Sequence, residues 1–302
     1  MTITIALDWT PNTNHTGLFV ARELGYYAAQ ELDVTLLSPA TDNYATTPAK
    51  KLELGLVDFA VAPFESVISL RTKAHPVAAV AVAALLQRDI SSIATLATSA
   101  ITRPKDLDGR TYASYRARYE DAIVKQLIIN DGGTGDLTLT YPEKLGIWNT
   151  LLTGEADATW IFDNWEGIEA QNSQLKLTKF ALTDYGIPYA YSPVLLSTQE
   201  KIDQHATAYR AFLQATKQGY EFAAAHPQQA AGMLAGHVPT REAQAINIVQ
   251  SQEFVAPFYG AGASWGRLEA SRVASFLHWL VDHELEDAAL LNINLYTNDL
   301  LG

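Results

Sequence analysis

The chain has 302 residues, 48% of them hydrophobic, with ordinary glycine and proline content and no low-complexity run, so it can bury a large core and reads as a soluble globular protein. Its formal net charge of −12, with no run of basic residues, argues against nucleic acid and anionic membranes as partners, because both attract basic surfaces. Cysteine is absent, which excludes disulfides, zinc thiolate sites, thiolate-held iron–sulfur clusters and cysteine nucleophiles.

In chain order, strand-like and helical stretches alternate. TITIALDW (2–9) reads as a strand, followed by a polar loop holding Trp9, Asn12, Asn14 and His15, and then by the helical pattern GLFVARELGYYAAQ (17–30). LDVTLLSP (32–39) is a second strand, AKKLELG (49–55) a helix, VDFAVAP (57–63) a third strand, and a helix starts at Phe64. Alternation of this kind predicts βαβ units on a parallel sheet. The ten apolar residues Val77–Leu86 read as a buried strand or the start of a helix and are too short to span a membrane.

The scheme then restarts with GRTYASY (109–115), a helix over Glu120–Asn130, DLTLTYP (136–142), a helix through IWNTLLTG (147–154), and ADATWIF (156–162). Gly55 and Asp58 in the first series match Gly154 and Asp157 in the second, each pair opening a strand that ends near an acidic residue. Ordinary helix-end punctuation is the competing explanation of that match. From about Tyr191 the chain adds one strand, SPVLLST, and turns mostly helical. TAYRAFLQATKQGYEFAAAHP stops before Pro227, and SWGRLEASRVASFLHWLVDHEL sets Trp265, Leu268, Val273, Phe276, Leu277 and Leu280 along one face, both expected to cap the first lobe.

The sequence lacks GxGxxG, GxxxxGK[ST], GxSxG and HExxH, so dinucleotide, P-loop, esterase and zincin chemistries lack their local supports. Of the seven histidines only His15 lies among other candidate site residues. In open α/β sheets ligands collect at the carboxyl ends of the strands, and four loops fall there. The first carries Trp9, Asn12 and His15; the second Glu65 and Ser66; the third Tyr115, Arg116 and Arg118; the fourth Trp160, Asp163, Asn164, Trp165 and Glu166. Plainer readings stand beside these: Trp9 as core, Glu65 or Ser66 as a helix N-cap, the arginines facing an acidic surface, and Glu166 as a surface helix cap. The fourth loop is the densest, since two tryptophans beside an Asp, an Asn and a Glu suit a flat heterocycle with N–H donors.

The segments LDWTPNTNHTGLFVARELGYY, LDVTLLSP, GLVDFAVAPFESVIS, NWEGIEA and NLYTNDLL resemble the NMT1/THI5-like family, which contains periplasmic pyrimidine-precursor binding proteins of thiamine salvage and a fungal pyrimidine synthase. The resemblance implies an α/β, two-lobed periplasmic-binding-protein-like fold of type II with a ligand cleft between the lobes. Lobe one would span 1–86 and 194–302, and lobe two 87–193. It also implies departures from the synthase: the cofactor-anchoring lysine falls at Ala62, the pyrimidine-donating histidine at Ser66, and a cysteine-rich iron-site segment at IPYAYSPV, where there is no cysteine. Alanine forms no Schiff base and serine supplies no imidazole, so no catalytic residue, cofactor or metal is expected.

The resulting expectation is a substrate-binding protein that captures a small flat heterocycle, an aminopyrimidine precursor of thiamine, for an ABC transporter permease. The alternative is a cytoplasmic synthase-like enzyme or a sensor of thiamine metabolism. The ligand set is Trp9, Asn12, His15, Glu65, Ser66, Tyr115, Trp160, Asn164, Glu166 and Tyr191. Trp9, Trp160 or Tyr191 would stack on the ring, Glu166 or Glu65 would accept amino N–H groups, and Asn12 would pair with ring nitrogens. Because Met1 leads straight into a strand, the expected location is periplasmic or otherwise extracytoplasmic if a signal peptide has been trimmed, and cytoplasmic if not.

Overall fold

Ten strands organise the chain in a computed structural model that describes residues 1–142 and 147–302. They are β1 (Thr2–Ala6), β2 (Asp33–Leu37), β3 (Phe59–Ala62), β4 (Ala79–Ala84), β5 (Ser91–Leu96), β6 (Arg110–Ala113), β7 (Leu137–Thr140), β8 (Ala158–Phe162), β9 (Leu177–Ala181) and β10 (Val194–Thr198). Contacts divide the chain into unit 1, Met1–Asp89 with Ala190–Gln244 and Ile248–Gly302, and unit 2, Ile90–Tyr189 with Ala245–Asn247. The α/β class expected from the sequence is present in both.

Unit 1 holds a five-stranded sheet of order β2-β1-β3-β10-β4, in which β1 pairs parallel with β2 and β3 while β10 runs antiparallel between β3 and β4. The apolar run around Val77–Leu86 resolves as β4, all six of whose residues are buried. An unpaired edge would expose backbone donors and acceptors, and here the C-terminal segment covers it. The Ala81 N–H donates to the Leu295 carbonyl, Thr297 N–H to Ala81, and Ala84 N–H to Gly266, at 2.8–2.9 Å.

Helices Thr16–Glu23 and Gln199–Ala225 pack at van der Waals closeness because both carry glycine at the crossing. A Cβ on Gly219 would lie 2.0 Å from the Gly17 carbonyl oxygen, and one on Gly17 would lie 2.1 Å from the Tyr220 ring. The last long helix is Ala270–Asp282, shorter than its sequence pattern: Trp265 and Leu268 precede it, yet both are buried with Val273, Phe276, Leu277 and Leu280.

Unit 2 repeats the arrangement with the order β7-β6-β8-β5-β9, β6 parallel to β7 and β8, and β5 antiparallel between β8 and β9. Strands β5 and β9 were not anticipated in the sequence. The matched Gly-x-x-Asp pairs do the same work in each unit. Gly55 and Gly154 take positive φ of 71° and 74°, closing a helix. The Asp58 carboxylate then accepts the Thr4 N–H, and that of Asp157 the Thr111 N–H, both at 2.9 Å. Among the described residues no helix is long and apolar enough to cross a membrane.

Candidate functional site

The loop after β1 is built from its own side chains. Asn12 Oδ1 accepts the Asn14 N–H at 2.8 Å and its Nδ2 donates to the Thr10 carbonyl at 3.0 Å. The Asn12 N–H donates to His15 Nδ1 at 3.3 Å, so that nitrogen is the acceptor and Nε2 carries the proton, which it donates to Asp8 Oδ1 at 2.7 Å. Asn12 is 5% exposed and His15 not at all; their polar atoms serve the loop.

A buried polar network ties this loop to the C-terminal helices. Thr13 Oγ1 meets Ser251 Oγ at 2.7 Å, Thr16 Oγ1 donates to Gln252 Oε1 at 2.6 Å, Tyr220 OH donates to the Asn14 carbonyl at 2.7 Å, and Tyr259 OH to the Thr13 carbonyl. Much of the W-x-P-N-x-x-H-x-G pattern is thereby accounted for by packing. What faces outward is Trp9, 37% exposed, with the Tyr44 ring 5.4 Å away, and the Asp8 carboxylate. Trp9 is therefore not core.

Asp8, Ala62, Ser66, Ser69 and Lys73 line a cavity of about 470 Å³ in unit 1. The helix Glu65–Thr72 starts at Phe64 with no side-chain cap, so the N-capping reading of Glu65 and Ser66 fails: Phe64 N–H instead donates to the Tyr191 carbonyl at 2.9 Å. Glu65 is 6% exposed, while Ser66 lies half-buried on the cavity wall. Tyr191 is buried with the Arg272 guanidinium 4.0 Å over its ring, and its hydroxyl accepts the Glu269 N–H. In the same lining Lys50 and Lys73 both pair with the single carboxylate of Glu53, which they hold below the usual carboxylate range.

In unit 2 the buried Glu120 stitches the loop after β6. Its carboxylate accepts Tyr112 OH at 2.7 Å and the N–H groups of Tyr115 and Ala117 at 3.1 and 3.2 Å. Burial raises its pKa while these donors hold it down. The loop leaves Tyr115 39% exposed and stacks Arg116 over Tyr141 at 4.5 Å.

At the end of β8, Trp160 meets the Tyr189 ring edge-on at 5.5 Å, and Asn164 is fully buried. Asp163 is bound by Lys179 at 2.8 Å and Ser92 at 3.1 Å. Glu166, half-buried, accepts the Phe162 N–H at 2.9 Å, and burial pushes its carboxyl up to about 7. It is thus a carboxyl poised between acid and base near neutral pH.

The structure gathers Trp160 and Glu166 at one strand end, where Tyr189 joins them, and puts Ser66 on a cavity wall with Asp8. It withdraws Asn12, His15, Glu65, Asn164 and Tyr191 into the interior and leaves Trp160 only 8% exposed. Sequence reasoning passed over Asp8, Tyr44, Glu120 and Tyr189. Asp8 carried a signal, being an acidic residue at the end of a strand seven positions before a histidine in the same loop.

Over 287 residues the chain is 25% identical to a formylaminopyrimidine-binding protein of Halalkalibacterium halodurans, covering 94% of this chain and 86% of that one. It is 23% identical over 235 residues to a 4-amino-5-hydroxymethyl-2-methylpyrimidine phosphate synthase of Legionella pneumophila, covering 77% and 72%. In structure it resembles the Candida albicans CA3427 gene product, described as having the generic periplasmic binding protein fold, with a TM-score of 0.73 at 13% identity over 99% of this chain and 96% of that one. The model of the family described as NMT1/THI5 like matches residues 12–230, and the chain belongs to that family.

Proposed function

We propose that this is a non-enzymatic binding protein that captures a small flat heterocycle, an aminopyrimidine precursor of thiamine, and hands it to an ABC transporter permease outside the cytoplasm. The observation that carries the reading is Glu166: a half-buried carboxyl at the end of β8, bonded to the Phe162 N–H, whose pKa, raised to about 7 by burial, matches a ligand that brings its own N–H donors. In unit 1 the exposed Trp9 offers flat apolar surface and Ser66 a polar contact; in unit 2 Tyr115 and Glu166 offer polar contacts and Trp160, 8% exposed, a narrow apolar edge. The Halalkalibacterium relative, named for binding a formylaminopyrimidine, supports this ligand class.

The Legionella relative is named as a synthase, and the chemistry here argues against that activity. The positions that would carry the anchoring lysine and the histidine are Ala62 and Ser66, both on the wall of the unit 1 cavity, and neither side chain can perform those steps. Mass spectrometry of the small molecule released from purified protein tests the reading. Recovery of an aminopyrimidine supports it, and calorimetry showing no binding of any aminopyrimidine overturns it.

A further inference from the structure

Asp8 holds a carboxylate that the fold has satisfied on one side only. Oδ1 accepts the His15 Nε2–H at 2.7 Å, whereas Oδ2 has no partner among the described residues, and the side chain is 25% exposed. Acidic residues after a strand commonly accept backbone N–H groups of the next turn, but among the described residues no backbone N–H donates to Asp8; Asn12 does that work for this loop. The cavity that Asp8 borders is lined by two lysines, and both are paired with Glu53. Among the described residues no lysine or arginine pairs with Asp8.

His15 fixes where the open oxygen points. Its ring is fully buried, one nitrogen engaged by the Asn12 N–H and the other by Asp8, so a ring flip would break both bonds. Behind it, the Thr13, Thr16 and Tyr259 bonds hold the loop to the C-terminal helices. A carboxylate so oriented, on the wall of a cavity of about 470 Å³, is complementary to a neutral or cationic group with N–H donors.

We propose that Asp8 is a ligand-binding carboxylate of unit 1, oriented by His15, that selects molecules presenting an amino or amidine-like N–H edge to the unit 1 cavity. The proposal rests on the reading of this chain as a binder of small heterocycles and adds a specificity-determining residue to it. A ligand lacking the donors leaves Asp8 desolvated and unpaired, which is how a polar site rejects a near-isostere.

Calorimetry with 4-amino-5-hydroxymethyl-2-methylpyrimidine and its 4-deamino counterpart tests this. Asp8→Asn presents an amide donor where the ligand donates and should weaken the amino compound by about tenfold to a hundredfold, with Asp8→Ala weakening it less and the deamino compound changing by less than about twofold. His15→Phe, which removes the orienting bond to Asp8 together with the acceptor of the Asn12 N–H, should lower the preference for the amino compound more than it changes affinity for the other. Wild-type binding of the amino compound that survives both Asp8 substitutions, or equal losses for the two compounds, overturns the role of Asp8 alone. No wild-type binding of either compound overturns the heterocycle reading and this proposal together.

Discussion

The two units use one scaffold and present opposite electrostatics at equivalent loops. In each, the first strand of the series runs into a loop that a buried polar side chain at the start of the following helical segment stitches from within: His15 in unit 1 and Glu120 in unit 2. The imidazole in unit 1 donates to Asp8 and leaves a carboxylate outward. The carboxylate in unit 2 consumes the N–H groups of Tyr115 and Ala117 and leaves Tyr115, Arg116 and Arg118 outward. Strand order and turn punctuation repeat between the units, while the loops that follow the first strand carry different side chains.

The units also differ in how firmly that loop is held, and the largest expected effect comes from there. In unit 1 the helix following the loop packs against Gln199–Ala225 through glycines. Gly219→Ala places a methyl group 2.0 Å from a backbone oxygen, which cannot yield as a side chain could, and should destabilise the protein by about 3 kcal/mol or more in chemical denaturation. A loss under about 1 kcal/mol would show that the helix crossing is not the constraint.

In unit 2 the loop depends on one carboxylate. Glu120→Ala strands the Tyr112 hydroxyl and two N–H groups, at a cost of about 2 to 3 kcal/mol, and should raise hydrogen exchange at Tyr115 and Ala117 while leaving Asn14 and His15 protected. Exchange that rises equally in both loops would break the comparison.

Glu166 sharpens it through pH. Its carboxyl is raised from 4.5 to about 7 by burial, so between those values the unfolded chain binds fewer protons than the folded one and this group's contribution to stability falls as pH rises. Ligand affinity should move the other way, increasing about tenfold from pH 6 to 8 as the carboxylate becomes available to accept N–H groups. Glu166→Gln should flatten both profiles. Retention of the affinity slope in that variant would place the titrating group elsewhere.

Legibility in the sequence followed range. The Gly-x-x-Asp repeat was visible because a left-handed glycine and an acidic residue act on their immediate neighbours. The helix over Glu120–Asn130 was visible because its apolar spacing is local. Strands SSIATL and LTKFA mix polarity and lack a long apolar run, and they are strands because β5 inserts antiparallel between β8 and β9, a long-range fact. The site divided similarly. Trp160 and Glu166 announced themselves as neighbours. Tyr44, brought beside Trp9 from a left-handed turn with φ of 62°, gave no sign, and the burial of Tyr191 depends on Arg272, some eighty positions later.

The smallest expected effect measures how far the repeat is a repeat. Asp58 and Asp157 each accept one backbone N–H at 2.9 Å across the same parallel strand pair, so substitution by Asn, which retains an acceptor but loses the charge, should cost each unit a similar amount through that bond alone. Asp58 has acquired more: its Oδ1 accepts from Lys201 Nζ and from Tyr209 OH, both at 3.2 Å, joining β3's entry turn to the long C-terminal helix. The same carboxylate raises the Tyr209 pKa, together with burial, which contributes most. The Lys201 pair is partly exposed and is worth little by itself, whereas the tyrosine bond is charge-assisted and better shielded. Asp58→Asn should therefore exceed Asp157→Asn by about 1 kcal/mol, and Tyr209→Phe, by removing one of the extra donors, should narrow the gap in a double-mutant cycle. Equal costs for the two aspartates, unchanged by Tyr209→Phe, would show that the added bonds contribute nothing and that the two turns remain energetic copies of each other.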